Sequence, residues 1–216
     1  MIPGPANILS CPYCGGTKEV MSLISGNTCG GTVWSDTRRF YPMLPEVSPI
    51  QKCTHCGKYY FIEQAKSEYA KEEGSEINYS VELGTLNYSE LKEAKEQMQH
   101  FTPTQMQRWI INHQLLMAYN DEFRRNLNAS VCKPSEEEIN DFESTVQELL
   151  EGKGTSADFD LFHAELLRET GRFQEAREIL EKHEEEDDRW VVKAMLRHID
   201  NEDSLPFLLI ENGNQV

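Results

Sequence analysis

The chain has 216 residues, with 21 Lys and Arg against 37 Asp and Glu, and therefore a formal net charge of −16 at pH 7. With 38% hydrophobic and 27% charged residues, it has the composition of an acidic globular protein of one large or two small domains. This composition excludes a collagen-like chain and a wholly disordered one. No stretch approaches the roughly 18 apolar residues of a membrane helix, and Met1–Asn7 lacks the basic and apolar regions of a secretory signal. We therefore expect a cytoplasmic protein that does not bind membranes.

Charge and cysteine are divided unevenly along the chain. Residues 1–62 carry a net charge of +2, and the remaining residues carry −18. Five of the cysteines lie before residue 62, and Cys132 lies after it. We predict a cysteine-bearing domain over residues 1–62, a connecting helix–strand–helix segment over 63–101, and a helical domain over 102–216.

Two copies of one pattern dominate the first segment: Cys11-Pro12-Tyr13-Cys14-Gly15 and Cys53-Thr54-His55-Cys56-Gly57. In such a turn two sulfurs face one point, and the following glycine can take the positive φ that directs backbone N–H groups at them. Two turns supply a tetrahedral site, so the predicted ligands of one metal ion are Cys11, Cys14, Cys53 and Cys56. The 38 residues between the two pairs exceed the about 15 to 20 of a compact finger, which requires an inserted loop or hairpin.

Other chemistry is open to the same cysteines. Disulfides are disfavoured in the cytoplasm. The tetrapeptide Cys11–Cys14 is similar to the active-site motif of glutaredoxins, but Gly15 and Gly16 follow it, whereas a low thiol pKa depends largely on a helix N-terminus. A rubredoxin-like iron site uses the same four sulfurs, so iron stays open as the alternative to zinc.

The doubled knuckle resembles the zinc ribbon family over roughly residues 9–62. This resemblance implies one structural zinc ion in a closed site carried on short β-hairpins. Apolar and aromatic residues in Glu19–Ile24 and Lys58–Ile62 suit the strands of such hairpins. A module of this size buries too little to be stable alone, and metal binding worth about 10–16 kcal/mol can supply the missing stability.

The insert between the knuckles, residues 25–50, carries large apolar and charged side chains. These side chains either pack the ribbon onto the helical part or bind a partner. The candidates for partner binding are Trp34, Asp36, Arg38 and Arg39. The block resembles part of an uncharacterised bacterial zinc-ribbon family, a resemblance that carries no function. We expect Cys29 to be a small buried residue and His55 to be an exposed tip of its knuckle.

The elements after residue 62 are predicted from periodicity and capping. A short helix is expected over Glu63–Glu73, and alternation predicts a half-buried strand over 77–83. Ser89 is placed to cap a helix to about His100, and Thr102 with Gln105 fits a capping box for a helix to about Asn126. Ser135 and Glu138 repeat the box for a helix closed by Gly152. The residues expected to face inward are Met106, Trp109, Ile110, His113, Leu116, Met117, Asn120 and Phe123, then Ile139, Phe142, Val146, Leu149 and Leu150.

Residues 157–188 resemble one tetratricopeptide repeat. The small, turn and aromatic positions of that repeat are matched by Ala164, Gly171, Phe173, Ala176 and Leu180. Asp160 and Asp188 depart from the pattern, since they occupy positions often held by Trp and Pro. A single repeat cannot bury its own face, so neighbouring helices, including one over Trp190–His198, must complete a short stack. The resemblance implies a concave peptide-binding surface, and a compact bundle that supports the ribbon is the alternative.

Motifs for catalysis are not found in the sequence. It contains no His-Glu-x-x-His, no glycine-rich phosphate loop and no Gly-x-Ser-x-Gly turn. We therefore predict an α+β protein, a small β-rich zinc ribbon followed by an all-α helical-repeat region, that acts as a non-enzymatic protein-interaction or scaffold protein with one zinc ion. The alternatives are a rubredoxin-like electron-transfer protein and a nucleic-acid-binding ribbon within a larger complex. The acidic charge disfavours nucleic acid, so a protein partner is expected.

Overall fold

The computed structural model describes residues 1–20, 22–44, 46–69, 85–125, 134–152, 157–183, 189–211 and 213–216. The predicted strand over 77–83, and also Cys132, lie outside these ranges. In chain order the elements are β1 (Ile2–Pro3), β2 (Asn7–Ser10), β3 (Thr17–Val20), β4 (Leu23–Ser25), β5 (Thr32–Trp34), β6 (Arg39–Phe40), β7 (Ile50–Lys52), β8 (Tyr59–Phe61), β9 (Lys66–Tyr69), α1 (Tyr88–Gln99), α2 (Gln105–Arg125), α3 (Glu136–Leu150), α4 (Ala157–Glu169), α5 (Phe173–Leu180), α6 (Arg189–Asp200), β10 (Leu208–Glu211) and β11 (Asn214–Gln215).

The chain forms two compact units that do not follow the predicted domain boundaries. The N-terminal unit consists of Met1–Gly30 and Tyr41–Ile111, and the C-terminal unit consists of Gly31–Phe40 and Asn112–Val216. The second boundary falls within α2, and part of the insert between the knuckles belongs to the C-terminal unit. In the parts of the chain that the structure describes, none of the helices combines the length and apolar composition of a membrane span.

Short antiparallel strands build the N-terminal unit. β2 is the central strand of the sheet β3-β2-β9, β1 pairs with β4, and β7 pairs with β8. Leu9 of β2 and Val20 of β3 are buried together against Ile62 and Ala65. The predicted ribbon strands are therefore present, and each knuckle lies at the turn of one hairpin, between β2 and β3 or between β7 and β8.

Helix α1 packs against β8. The Gln97 side chain accepts a hydrogen bond from the Tyr59 N–H at 3.0 Å and donates one to the Tyr59 carbonyl at 2.8 Å. The Tyr59 hydroxyl also donates to Glu93 Oε2 at 2.6 Å. Gln97 thus satisfies the two backbone groups of Tyr59 that a further strand would otherwise pair, which ties α1 to the second knuckle hairpin.

The C-terminal unit combines helices with a four-stranded antiparallel sheet in the order β11-β10-β5-β6. The expectation that the region after residue 102 is entirely helical is therefore wrong, although the α+β class is correct. β10 pairs with β5, and two hydrogen bonds link Ser35 to Phe207. The Ser35 N–H donates to the Phe207 carbonyl at 2.9 Å, and the Phe207 N–H donates to the Ser35 hydroxyl at 3.0 Å. Ser35 and Phe207 are 172 residues apart in sequence, so no local sequence pattern predicts their pairing.

Helices α4 and α5 form a tight hairpin. Gly171 connects them with φ of 74°, a left-handed conformation that glycine adopts without steric cost. Ala164 and Ala176 are fully buried, which allows the two helices to approach closely. One core cluster of the unit contains Ala164, Leu167, Ala176, Leu180, Val192, Ala194, Met195, Ile199, Phe207 and Leu209.

Several predicted boundaries need correction. Of the helix expected over Glu63–Glu73, residues 70–73 lie outside the described ranges, and the rest is a 3-10 turn at Ile62–Gln64 followed by β9, because pairing with β2 outweighs the local helix preference. Helix α1 begins at Tyr88, with Asn87 as its cap in place of Ser89.

Capping was predicted correctly for one of the two long helices. Ser135 and Glu138 form the capping box of α3 as expected. Helix α2 begins instead at Gln105, where Thr104 and Gln107 exchange the two bonds of the box. The same Thr-x-x-Gln pattern occurs twice in overlap, so the sequence could not decide between the two caps.

Most of the residues expected to face inward are buried or half-buried, with two exceptions. Met106 is 64% exposed and Ile139 is 39% exposed. Both lie in the first turns of their helices.

Candidate functional site

The structure brings together the four predicted ligands. The Sγ atoms of Cys11, Cys14, Cys53 and Cys56 all lie within 4.8 Å of one another. The Cys11–Cys56 separation is 3.9 Å and the Cys14–Cys53 separation is 3.7 Å. A regular tetrahedron with zinc–sulfur bonds near 2.3 Å has sulfur–sulfur edges of about 3.8 Å. The sulfur positions therefore fit one tetrahedrally coordinated metal ion.

The two knuckles have the same backbone construction. In the first, the Gly15 N–H donates to the Cys11 carbonyl at 2.9 Å, and in the second the Gly57 N–H donates to the Cys53 carbonyl at the same distance. Both glycines have positive φ, 70° and 72°. Because L-residues with a Cβ avoid this region, glycine is the residue that lets each turn close below its sulfurs.

Backbone N–H groups also point at the sulfurs. The Tyr13 N–H lies 3.4 Å from Cys11 Sγ, and the Gly16 N–H lies 3.4 Å from Cys14 Sγ. Such donors stabilise thiolates, the form in which cysteine binds metal. The turns thus supply both the position and part of the charge compensation that a metal site needs.

The thiols influence one another strongly. Burial raises the pKa of Cys53, but hydrogen bonds from the backbone N–H groups of Cys56 and His55 lower it, and the resulting pKa is about 6. At Cys14 the Gly16 N–H lowers the pKa, yet the hydrogen bonds with Cys56 and the other thiols and burial raise it to about 12. Four thiols at this separation cannot all lose their protons unless a cation offsets the negative charges. A bound metal ion would supply that positive charge.

Two other residues of the knuckle region were predicted with mixed success. His55 is exposed, as expected, and its ring lies over Gly16. Cys29 is exposed, so the prediction that it is buried is wrong. It follows Asn27, whose side chain accepts a hydrogen bond from the Cys29 N–H at 3.0 Å, so this cysteine belongs to a surface turn. Cys29 is not part of the four-sulfur group.

The candidate partner-binding residues do not form one exposed group. Asp36 is fully buried and pairs with Arg124, so it is not accessible to a partner. Arg38 pairs with Asp121 at 3.2 Å.

The other two candidates lie on the paired strands β5 and β6. Trp34 is half-buried and lies 5.1 Å below the Arg124 guanidinium. Arg39 is exposed on β6. Arg39 is thus the most accessible of the four candidates.

Sequence reasoning missed a buried polar cluster in the C-terminal unit. The Asn120 amide donates to Asp36 Oδ2 at 2.9 Å and to Glu169 Oε2 at 3.0 Å, and all three residues are buried. Next to it, Arg168 pairs with Glu165 at 2.6 Å, and both side chains are almost fully buried. The only signal in the sequence is that charged residues recur at helical spacing within the otherwise apolar α4.

Comparison of the chain with protein-family models, curated proteins and solved structures finds no match. Among the described residues, the four cysteines are the one group of side chains arranged to hold a metal ion.

Proposed function

We propose that this chain is a non-enzymatic interaction protein whose N-terminal unit is held together by one structural zinc ion. The observation that carries the proposal is the closed set of four sulfurs from Cys11, Cys14, Cys53 and Cys56. When bound, the ion supplies a cross-link between two hairpins and the charge that four thiolates require. A site with four protein sulfurs leaves no open position for a substrate, which argues against metal-assisted catalysis.

The resemblance to zinc ribbons supports zinc, but iron accepts the same ligands. The two metals are distinguished by elemental analysis and by colour, since iron in this geometry absorbs visible light and zinc does not. We expect one zinc ion for each chain purified without added metal, and loss of the ion in Cys53→Ser. Iron at the same stoichiometry would favour the electron-transfer alternative, and a well-folded protein with neither metal would contradict the proposal.

The helical part supports a role in protein interaction. The α4–α5 hairpin has buried alanines at the helix crossing and a left-handed glycine in the turn, as the tetratricopeptide resemblance implies. Helix α5 packs against α6, and α3 packs against α4, so the hairpin has the neighbours that a repeat requires. We infer that this stack, with the adjoining sheet, docks a protein partner.

The surface on which we place this partner includes strand β6. β6 is one of the two outer strands of its sheet, and both its residues, Arg39 and Phe40, are exposed, Phe40 by 60%. An outer strand with an exposed aromatic residue is suited to binding an extended segment.

Affinity capture from native lysate tests this surface. Arg39→Ala should reduce the recovered partner, whereas Lys193→Ala, another exposed basic residue of the same unit, should not. Equal recovery by wild type and Arg39→Ala would remove β6 from the proposal.

A further inference from the structure

The C-terminal unit contains a cavity of about 400 Å³ that has no part in the metal centre. Its wall includes Tyr119, Phe123, Phe142, Leu205 and Pro206, and Glu169 also lines it. We refer to it as the Glu169 cavity. Its volume is within the range of about 300–1,000 Å³ of small-ligand sites, and its wall is mainly apolar with few polar groups, as such sites require.

Glu169 is the unusual member of this wall. It is 7% exposed, and its Oε2 accepts the hydrogen bond from Asn120. Its Oε1 has no hydrogen-bond partner within the described structure. A buried carboxylate oxygen without a donor is costly, and such groups are rare in folded proteins unless a ligand, ion or water completes them.

The charges around Glu169 are not balanced. Four carboxylates, those of Asp36, Asp121, Glu165 and Glu169, lie with three arginines, Arg38, Arg124 and Arg168, and Asp121 pairs with both Arg38 and Arg124. Arg124 pairs with Asp36, and Arg168 pairs with Glu165, so Glu169 is left with a neutral amide as its hydrogen-bond donor. One further positive charge from the cavity would complete the cluster.

The wall of the cavity is suited to a cation with an apolar stem. Tyr119 stacks on Phe142 with ring centroids 4.4 Å apart and contacts Phe123 at 5.5 Å. Aromatic faces attract cations, and they also accept the methylene groups that carry them. Only one oxygen of Glu169 is free, which favours a single N–H donor over the two-pronged donor set of a guanidinium.

A buried arginine holds the part of the wall that carries Leu205 and Pro206. Arg168 donates to the Leu205 carbonyl at 2.9 Å and also to the Asp203 carbonyl, so a fully buried side chain fixes the segment that carries Leu205 and Pro206. This anchoring fixes the part of the wall that carries Leu205 and Pro206, so little ordering of that segment is needed when a ligand enters.

We propose that the Glu169 cavity binds a primary ammonium group on an apolar stem, with Glu169 as the carboxylate that recognises it. The same chemistry is carried by a free alkylamine and by a lysine side chain of a peptide. This proposal goes beyond the metal-stabilised interaction protein and does not depend on it, since every residue it uses belongs to the C-terminal unit.

The test compares charged and neutral probes on the full-length, metal-loaded protein. Dissociation constants of n-butylammonium and n-butanol are measured by NMR chemical-shift titration at neutral pH. We expect butylammonium to bind at least about tenfold more tightly, as for a desolvated ion pair. Butanol binding as tightly as butylammonium would overturn the proposal, because it would mean that Glu169 acts as a neutral hydrogen-bonding group.

Two variants test whether Glu169 causes the preference for butylammonium over butanol. Glu169→Gln should reduce the ratio of butylammonium affinity to butanol affinity to about one. Glu143→Gln is the matched control, because Glu143 lines the same cavity but is exposed, and it should change the ratio by less than about twofold. A ratio that survives Glu169→Gln, or one lost equally in both variants, would refute the role of Glu169.

A measurement on the unmodified chain covers the case in which Glu169→Gln fails to fold. Burial, and then the nearby Glu165 and Asp36, raise the pKa of Glu169 well above its usual value, although Asn120 and Arg168 oppose this. The other charged or titratable groups around it are Tyr119, Arg124 and Glu143. Because an ammonium ion and a proton compete for the same carboxylate, butylammonium affinity should rise as the pH increases through the raised pKa of Glu169. Butanol affinity should not, and pH-independent butylammonium binding would contradict the proposal.

Two peptides distinguish the sources of the ammonium group. Acetyl-Ala-Lys-Ala-amide is compared with the same peptide in which norleucine replaces lysine. Tighter binding of the lysine peptide than of free butylammonium identifies a peptide ligand, and weaker binding identifies a free amine. Absence of binding by both the lysine peptide and butylammonium refutes the site.

Discussion

Replacing Arg168 by methionine should destabilise the C-terminal unit severely. Arg168 is fully buried, and its guanidinium donates to both oxygens of Glu165, at 2.8 and 2.6 Å, and to the carbonyls of Asp203 and Leu205. It also lies 5.0 Å from the centre of the Phe207 ring. Methionine retains much of the apolar stem but none of the donors, so the substitution isolates the charge and the hydrogen bonds.

The loss of stability in Arg168→Met is set by the Glu165 carboxylate, which remains buried without its partner. Glu165 is 1% exposed, and without Arg168 it becomes an uncompensated buried charge or must take up a proton. Removing one partner of a buried ion pair costs about 3–5 kcal/mol, against a total stability of about 5–15 kcal/mol for a domain. The loss should therefore be at least a fifth of the stability of the unit. Adding Glu165→Met should recover part of it, because the orphaned carboxylate is then absent as well.

Urea unfolding followed by far-UV circular dichroism measures this loss. Arg172→Met is the matched control, because Arg172 pairs with Glu175 at the same three-residue spacing and the same 2.6 Å distance, but the two side chains are 42% and 55% exposed. An exposed pair is worth less than about 1 kcal/mol. If Arg168→Met and Arg172→Met cost equal amounts, burial is not what gives the first pair its importance, and the reasoning fails.

Three further outcomes are expected. A strong zinc chelator should unfold the N-terminal unit while most helical circular dichroism persists, and loss of no structure would count against a structural metal. Gly57→Ala should cost about 1–2 kcal/mol and weaken metal binding, because Gly57 has φ of 72°; Gly30→Ala, at φ of 71° outside the knuckles, should leave metal affinity unchanged. Burial lowers the pKa of His113 to about 4, against the weaker opposing effect of Asp36. The unfolded chain therefore binds the proton more readily, and the free energy of unfolding should fall by up to about 3 kcal/mol as the pH drops from 6.5 towards 4. In unfolding titrations His113→Gln should remove this pH dependence, and an unchanged pH profile in the variant would contradict the prediction.

The four-cysteine cluster was predictable because its signal is local. Each Cys-x-x-Cys-Gly turn places two sulfurs through backbone geometry alone, and the two turns need only a common ion to converge. The same holds for the α4–α5 hairpin, where Gly171 and the buried alanines act within a few residues of each other. Predictions of this kind depend on short-range sterics, which five to fifteen consecutive residues express completely.

Burial of single residues was less predictable. Cys29 was expected to be buried because cysteine usually is, but its position in a Gly- and Asn-rich turn leaves it exposed. Asp36 was expected at a surface, yet it lies at the centre of a polar cluster with Asn120 and Arg124. Residue type sets a preference for burial, and the partners that other segments supply decide whether a charge can be buried.

Residue type and spacing were enough to define the four clustered cysteines, the α+β class and most of the helices, because each pattern that signals them lies within one turn, one hairpin or one helix. Folding in three dimensions was needed to place Gly31–Phe40 beside β10 and to gather Asp36, Asn120 and Glu169 around one unpartnered oxygen. Some of these groups come from distant segments, such as Ser35 and Phe207, which are 172 residues apart, and strand pairing and charge burial over such separations depend on the packing of the whole unit.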